Sequence, residues 1–372
     1  MSALKLRRGT VVSVDPLTVD LDGETRHAWA DEGLVGEIRN GDEVIVNVEA
    51  LDLDLGSGGF DVVHANLTRG LEAEGRPDLN AIKLNYTSLQ HSVDPVEPAT
   101  GKAAAGPAAV RPARRIPVLV LLLHGQLAPA AWAAGRAAPG ARLGYVQTPG
   151  GALPGALSRD VPELRERGLL AGHLTAGPCH GGELEAISVP GALHAAAGEL
   201  GWDAVIAGPG PGILGSASAL GHGGMAALDA AHASLSLGLE TLVAPRLSSG
   251  DPRPRHRGLS HHAEAVLRLL LGSVRVPVPE LDEAGWPVRE EEGAGSALDQ
   301  LREACAERHD IWVRPVDLDG YAASGLPTRT MGRDLAEDRL FFAAGLAAGE
   351  ALAALAGNDG GDRSSAATRS RR

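Results

Sequence analysis

Two stretches of this 372-residue chain concentrate residue types that do chemistry. The first is DPRPRHRGLSHHAEAVLRLLLG, from Asp251 to Gly272. Pro252 and Pro254 exclude a helix, Gly258 permits a turn, and Ser260 is placed to cap the apolar helix that follows at once. His261 and His262 then occupy the first helical turn, where the positive end of the helix dipole disfavours protonation. Neutral imidazoles at pH 7 donate a hydrogen bond, accept a proton or ligate a metal. Arg253, Arg255 and Arg257, just upstream, supply charge for an anionic group. The competing reading is one histidine that caps or packs beside a solvated arginine loop.

The second stretch is VIAGPGPGILGSASALGHGG, Val205 to Gly224, where an apolar run ends in glycines. Backbone amides at Gly208, Gly210, Gly212 and Gly215 suit the phosphate or carboxylate of a small molecule. Close packing of helix on strand explains the same glycines equally well. Residues 210–215 also spell G-x-G-x-x-G, yet a dinucleotide signature belongs after the first strand, with an acidic residue about 20 positions on. Here it follows the fourth clear strand, and Asp229 and Glu240 fall in mid-helix and at a strand start. A nucleotide-dependent oxidoreductase is therefore the weaker alternative.

Other polar residues follow other strands. His124-Gly125-Gln126, Thr148-Pro149-Gly150-Gly151, the run from Thr175 to Glu183 and the run from Ser248 to Arg253 each combine glycine with polar side chains. Cys179-His180 offers a thiol and a base, although adjacent residues rarely face one another and a small buried thiol is commoner. His261, His262 and Glu264 lack the H-E-x-x-H spacing, and no C-x-x-C pair exists, so no metal ligand set is assigned. A catalytic divalent metal would need His124, His180, His222 and the paired histidines brought together from separate loops. Arg329 and Arg333 flank a glycine and suit an anion, but Glu337 and Asp338 are placed to pair with them. The nucleophile elbow G-x-S-x-G and the P-loop are both absent.

The elements that must position these residues follow from hydrophobic rhythm. From residue 116 to 356, short apolar runs (Val118–Leu123, Leu143–Val146, Leu170–Leu174, Ala204–Ala207, Thr241–Ala244, Arg275–Val278, Ile311–Val313) alternate with helical stretches. Among these are Glu183–Leu200, Gly224–Leu237, His261–Leu271, Ala297–Arg308 and a last helix Arg333–Ala356. Such alternation predicts an α/β domain with a mainly parallel, doubly wound, Rossmann-like sheet. Ligands of such sheets bind beyond the carboxyl ends of the strands, where the loops above converge. Residues 1–67 instead show short β-branched runs with an Asp22-Gly23 hairpin signal, predicting a small β-barrel-like domain. Residues 68–115 read as a connection: a strand at 81–86 that starts the next domain, then an Ala/Pro-rich loop. Residues 357–372 read as a disordered tail.

Composition narrows the function. A net charge of −13 opposes nucleic acid and anionic membrane as partners. Residues 1–70 carry thirteen acids against six bases, which removes oligonucleotide binding from the barrel and leaves packing or homo-oligomer assembly. Two cysteines and no signal segment indicate a reducing, cytoplasmic setting.

YTSLQ at 86–90, TPGGALP at 148–154, GGELEA at 181–186, GPGPGILG at 208–215, RHRGLSHH at 255–262, and TMGR with ED and FF within 330–342 resemble an uncharacterised, mainly actinobacterial family, domain of unknown function 3866. The resemblance implies a stand-alone bacterial protein of this two-part layout and carries no activity with it. The residues themselves favour an enzyme, a transferase or hydrolase, acting on a small anionic metabolite. In it Gly208, Gly210, Gly212 and Gly215 cradle the anion with Arg253 or Arg257, and His261 or His262 is the acid–base group with His124 or His180 opposite. A non-catalytic metabolite-binding or regulatory protein is the alternative. Substrate and cofactor are not named by the sequence.

Overall fold

The computed structural model describes residues 4–55, 58–71, 79, 81–97, 110–288 and 295–356. The chain divides into two units, 1–94 and 95–372.

In the first unit, β1 (Leu6–Val14), β2 (Leu17–Leu21), β3 (Glu24–Trp29), β4 (Glu43–Asn47) and β5 (Asp61–Asn66) close into a barrel in the order β1-β2-β3-β5-β4. Alternate residues such as Val11, Val19, Val44, Val46 and Val63 fill its interior, as the two-residue period of a strand requires. Asp22 and Gly23, at φ 55° and 90°, make the tight turn between β2 and β3 that the Asp-Gly pair predicts. Ala81–Lys83 does not open the next domain. It pairs antiparallel with His91–Val93 inside the first unit.

The second unit holds an eight-stranded sheet. Its strands are β6 (Pro117–Val120), β7 (Leu143–Thr148), β8 (Gly172–Ala176), β9 (Leu184–Ala186), β10 (Ala204–Pro209), β11 (Glu240–Val243), β12 (Arg275–Pro279) and β13 (Asp310–Arg314). They lie in the order β9-β8-β7-β10-β6-β11-β12-β13, and every neighbouring pair is parallel. All the loops that follow these strands therefore leave from one edge.

Helices cover both faces. Val118, Val120 and Leu122 point into the layer formed by α3 (Val189–Ala197), α4 (Ala226–Ser236), α5 (His261–Leu269) and α6 (Ala297–Cys305). Leu119, Leu121 and Leu123 point into the opposite layer, with α1 (Leu127–Ala137), α2 (Asp160–Glu166) and α7 (Arg339–Ala356). With few aromatic side chains available, packing relies on close approach of backbones. A Cβ on Gly349 of α7 would stand 2.2 Å from the Ala130 carbonyl of α1. Among the described residues α7 is the one helix apolar and long enough to cross a membrane, and most of it is buried within the fold.

Two helical boundaries differ from expectation. The stretch expected as one helix from Glu183 to Leu200 is an edge strand, β9, followed by α3, because Ser188 caps the helix through the Gly191 amide and Pro190 sits in its first turn. The last helix begins at Arg339 rather than Arg333, since Arg333–Asp334 pairs with Arg329–Thr330 across a turn at Met331 and Gly332. Most of the Ala/Pro-rich segment and the tail from Gly357 lie outside the described residues.

Candidate functional site

The loops after β10 and β11 flank the end of β6, where the strand order changes direction. After β10 the chain does not pass directly into a helix. It folds back on itself, with a bridge between Gly215 and His222 and a hydrogen bond from Gly223 N to Leu214 O (2.8 Å), before α4 begins. This return delivers His222. After β11, Leu247–Ser248 pairs with Gly258–Leu259, and Ser260 N donates to Arg246 O at 3.0 Å. The ladder places Ser260 to cap α5, where its side chain accepts from the His262 amide, as expected from the sequence.

Four imidazoles meet here. His222 and His262 stack with ring centroids 3.7 Å apart and planes 10° from parallel. His261 lies edge-on to His262 at 4.4 Å and 5.6 Å from His222. His256 stands 4.8 Å from both His261 and His262, its Nδ1 sharing a 2.7 Å hydrogen bond with Ser260 Oγ. Ring nitrogens of His222, His261 and His262 all fall within 4.8 Å of one another.

Burial keeps His222, His256 and His262 neutral. It lowers His262 to about 2, assisted by His222 and Arg246, and His256 to about 3, assisted by Arg246 and Arg253. His222 is also lowered, burial outweighing the Ala219 carbonyl that accepts from its Nε2 at 3.0 Å. That bond fixes the proton on Nε2 and leaves Nδ1 with a lone pair. His222 Nδ1 is buried and makes no hydrogen bond.

An arginine–aspartate network backs the imidazoles. Arg246 reaches His262 Nδ1 at 3.4 Å through Nη1 and Asp251 Oδ2 at 3.0 Å through Nη2. Arg253 grips the same carboxylate at 2.9 Å, and Arg333 lies 3.5 Å from it and 3.0 Å from Asp338. Burial alone would raise Asp251, but hydrogen bonds and charge from Arg253 and Arg246 hold it far below the usual carboxylate range. Burial pulls Arg246 down to about 10. Three guanidiniums thus face two carboxylates, and Arg246 Nε and Arg333 Nη2 are buried without a hydrogen bond.

The expected site residues divide into two groups. His261, His262, Gly215 and Arg253 belong to the region just described, Gly215 lying with its Cβ direction 3.8 Å from His262. His124 lies in another cluster. Its Nε2 bonds Ser158 Oγ at 2.8 Å, its Nδ1 meets Pro209 O at 3.2 Å, and Asp160 lies 3.8 Å away. Burial lowers His124 against the pull of Asp160. His180 is buried, its carbonyl accepting from Gly155 N. Gly155 in turn approaches His173, which stacks on Tyr145. Arg257 is exposed on its loop.

Several glycines serve packing between loops. A Cβ on Gly208 would meet Leu121 at 2.9 Å, on Gly210 the Ala152 carbonyl at 2.4 Å, and on Gly151 the Gly210 carbonyl at 2.1 Å. Gly212, at φ +75°, has open space around it. The turn at 248–250 is already filled by the chain's own carboxylate: Asp338 accepts from Ser249 N (2.8 Å), Gly250 N (3.2 Å) and Ser248 Oγ (2.7 Å). Arg333 pairs with Asp338 at 3.0 Å, before the last helix begins and not on its face, while Arg329 donates to the Gly332 carbonyl.

The sequence alone gives Arg246 and His256 no role, and Asp251 only a place among the polar residues that follow a strand. Arg246 follows β11 by three residues and His256 lies inside RHRGLSHH, so position relative to a strand end was the available signal.

A three-layer α/β/α unit with ligand-type side chains gathered at the carboxyl edge of a parallel sheet defines the class. The chain belongs to the family described as Protein of unknown function (DUF3866), whose model matches residues 27–349. No curated protein and no solved structure matches it.

Proposed function

We propose that this protein is a cytoplasmic enzyme acting on a small anionic metabolite, phosphorylated or carboxylated, held beside the four-histidine cluster at the carboxyl edge of the parallel sheet. The observation that carries this reading is the unbalanced guanidinium charge. Arg246, Arg253 and Arg333 exceed Asp251 and Asp338 by one positive charge, the buried Arg246 Nε has no hydrogen-bond acceptor, and Arg333 Nη2 has only a long contact to Asp251 at 3.5 Å. An unsatisfied buried donor is costly, and an anion supplies both the missing charge and the missing acceptor. Among the neighbouring imidazoles, His261 is the ring we assign to acid–base chemistry for a transfer or hydrolysis. His261 is the least buried of the four, which makes it the ring most accessible to a bound molecule. We read the sheet as Rossmann-like in the broad sense of a doubly wound fold with its site at a topological switch point. The fold-back between Gly210 and Met225 argues against the short strand-to-helix turn that a dinucleotide needs, so an oxidoreductase is disfavoured.

A thermal-shift series tests the reading. Inorganic phosphate, phosphorylated metabolites and dicarboxylates are each titrated against the intact chain and against Arg253→Gln. A saturable rise in Tm with one class, weakened at least roughly tenfold in the variant, supports it. No shift with any anion, or a shift the same size in the variant, overturns it.

A further inference from the structure

We infer that His222, His261 and His262 form a three-histidine site for a divalent transition-metal ion of the zinc class. This goes beyond the anion reading and stands apart from it, because metal binding is measured with no substrate present.

Three observations carry the inference. First, nitrogens from the three residues already lie within 4.8 Å of one another. Ligands around a four-coordinate ion with metal–nitrogen bonds of about 2.0–2.1 Å sit roughly 3.3 Å apart, so the nitrogens must close by about an ångström and the His222 and His262 rings, 10° from parallel, must tilt out of their stack until both lone pairs meet one point. Second, His222 is only 7% exposed, and its Nδ1 has no hydrogen bond while its Nε2–H is held by the Ala219 carbonyl. A histidine whose far nitrogen is fixed by a backbone carbonyl and whose near nitrogen is unused has the arrangement of a metal ligand. Third, the rings are held by independent devices. The Gly215–His222 bridge returns one, and the Ser260 cap at the start of α5 sets the other two.

The chemistry of the donors selects the ion. Three imidazoles and no carboxylate suit zinc, cobalt, nickel or copper and disfavour magnesium and calcium, which require oxygen ligands. Three neutral ligands also leave the ion its full positive charge and an open position, the pattern of a catalytic rather than a structural centre. An ion would open the His222–His262 stack and displace the weak contact from Arg246 to His262 Nδ1 at 3.4 Å. Asp251 and Asp338 cancel two of the three arginine charges beside the site.

The test uses the intact chain stripped with a chelator and titrated with cobalt(II) and with zinc(II). The expected result is one ion per chain, a visible absorption typical of low-coordinate cobalt, and no competition from magnesium. His222→Gln keeps size and polarity and should weaken cobalt binding at least roughly 100-fold, as should His261→Gln. His124→Gln, in the other cluster, should leave it unchanged. Absence of stoichiometric binding by the wild-type chain overturns the inference, and so does equal binding by the His222→Gln and His261→Gln variants, whatever anions do. Binding of cobalt with no anion-induced shift upholds the metal site and sinks the anion reading alone.

Discussion

His222 and His262 lie face to face, 3.7 Å between ring centroids, although 40 positions separate them in the chain. Two imidazolium ions cannot stack at this distance in a buried setting, so at most one of the two rings carries a proton charge. Replacing His262 by Phe keeps a flat ring in the stack and should cost under about 1.5 kcal/mol. His262→Ala leaves a cavity and should cost about 2–4 kcal/mol. Urea unfolding separates the two, and equal costs would show that the stack contributes nothing.

Asp251 is buried among Arg246, Arg253 and Arg333. Asp251→Asn strips their shared counter-charge and should destabilise by about 3–5 kcal/mol. Arg253 is 46% exposed, so Arg253→Gln should cost less than about 1 kcal/mol. The comparison is read from denaturant midpoints of the two variants.

His173 is buried against Tyr145 and bonds Gln147 Oε1 at 3.1 Å. Burial pushes it down to about 4. Below its unfolded value near 6.5 the unfolded chain takes up a proton that the folded chain refuses, so stability falls as pH drops from about 6.5 to 4. His173→Gln should make the fall in Tm across that window shallower, the other buried histidines still contributing theirs, and have a smaller effect above pH 7. A melting series at fixed ionic strength decides it.

The glycine-rich loops can be tested for packing directly. Gly150, at φ +117°, would bring a Cβ to 2.5 Å from the Gly223 carbonyl, and Gly210 to 2.4 Å from that of Ala152. Gly150→Ala and Gly210→Ala should each lose more than about 2 kcal/mol. Gly212→Ala meets only the cost of its left-handed φ, about 1–2 kcal/mol. If all three are equally mild, close approach is not what these glycines provide.

Much of the architecture was legible because apolar runs of strand length alternate with helical ones, and that rhythm alone implies a parallel sheet with one rim of loops. The Asp22-Gly23 turn and the Ser260 cap were readable from local chemistry. What escaped was long-range. GGELEA has the composition of a helix start, and only its pairing with β8 makes it a strand. His222 joins His261 and His262 through a fold-back whose glycines look the same as those of a phosphate loop. Arg246 and Asp251 are five residues apart, but their importance comes from burial beside Arg333 and Asp338, which no local pattern encodes.

The first strand of the large sheet, Pro117–Val120, has as its neighbours β10 and β11, made of residues 204–209 and 240–243. A ribosome therefore releases this apolar segment long before either partner exists, and β7, β8 and β9 can associate only as a separate patch until β10 arrives to join them. The seam closes late, and the two loops that carry the histidines are anchored by it. Chains truncated before Glu240 should thus leave the first strand open on one side, a ready template for self-association, and the histidine cluster unformed.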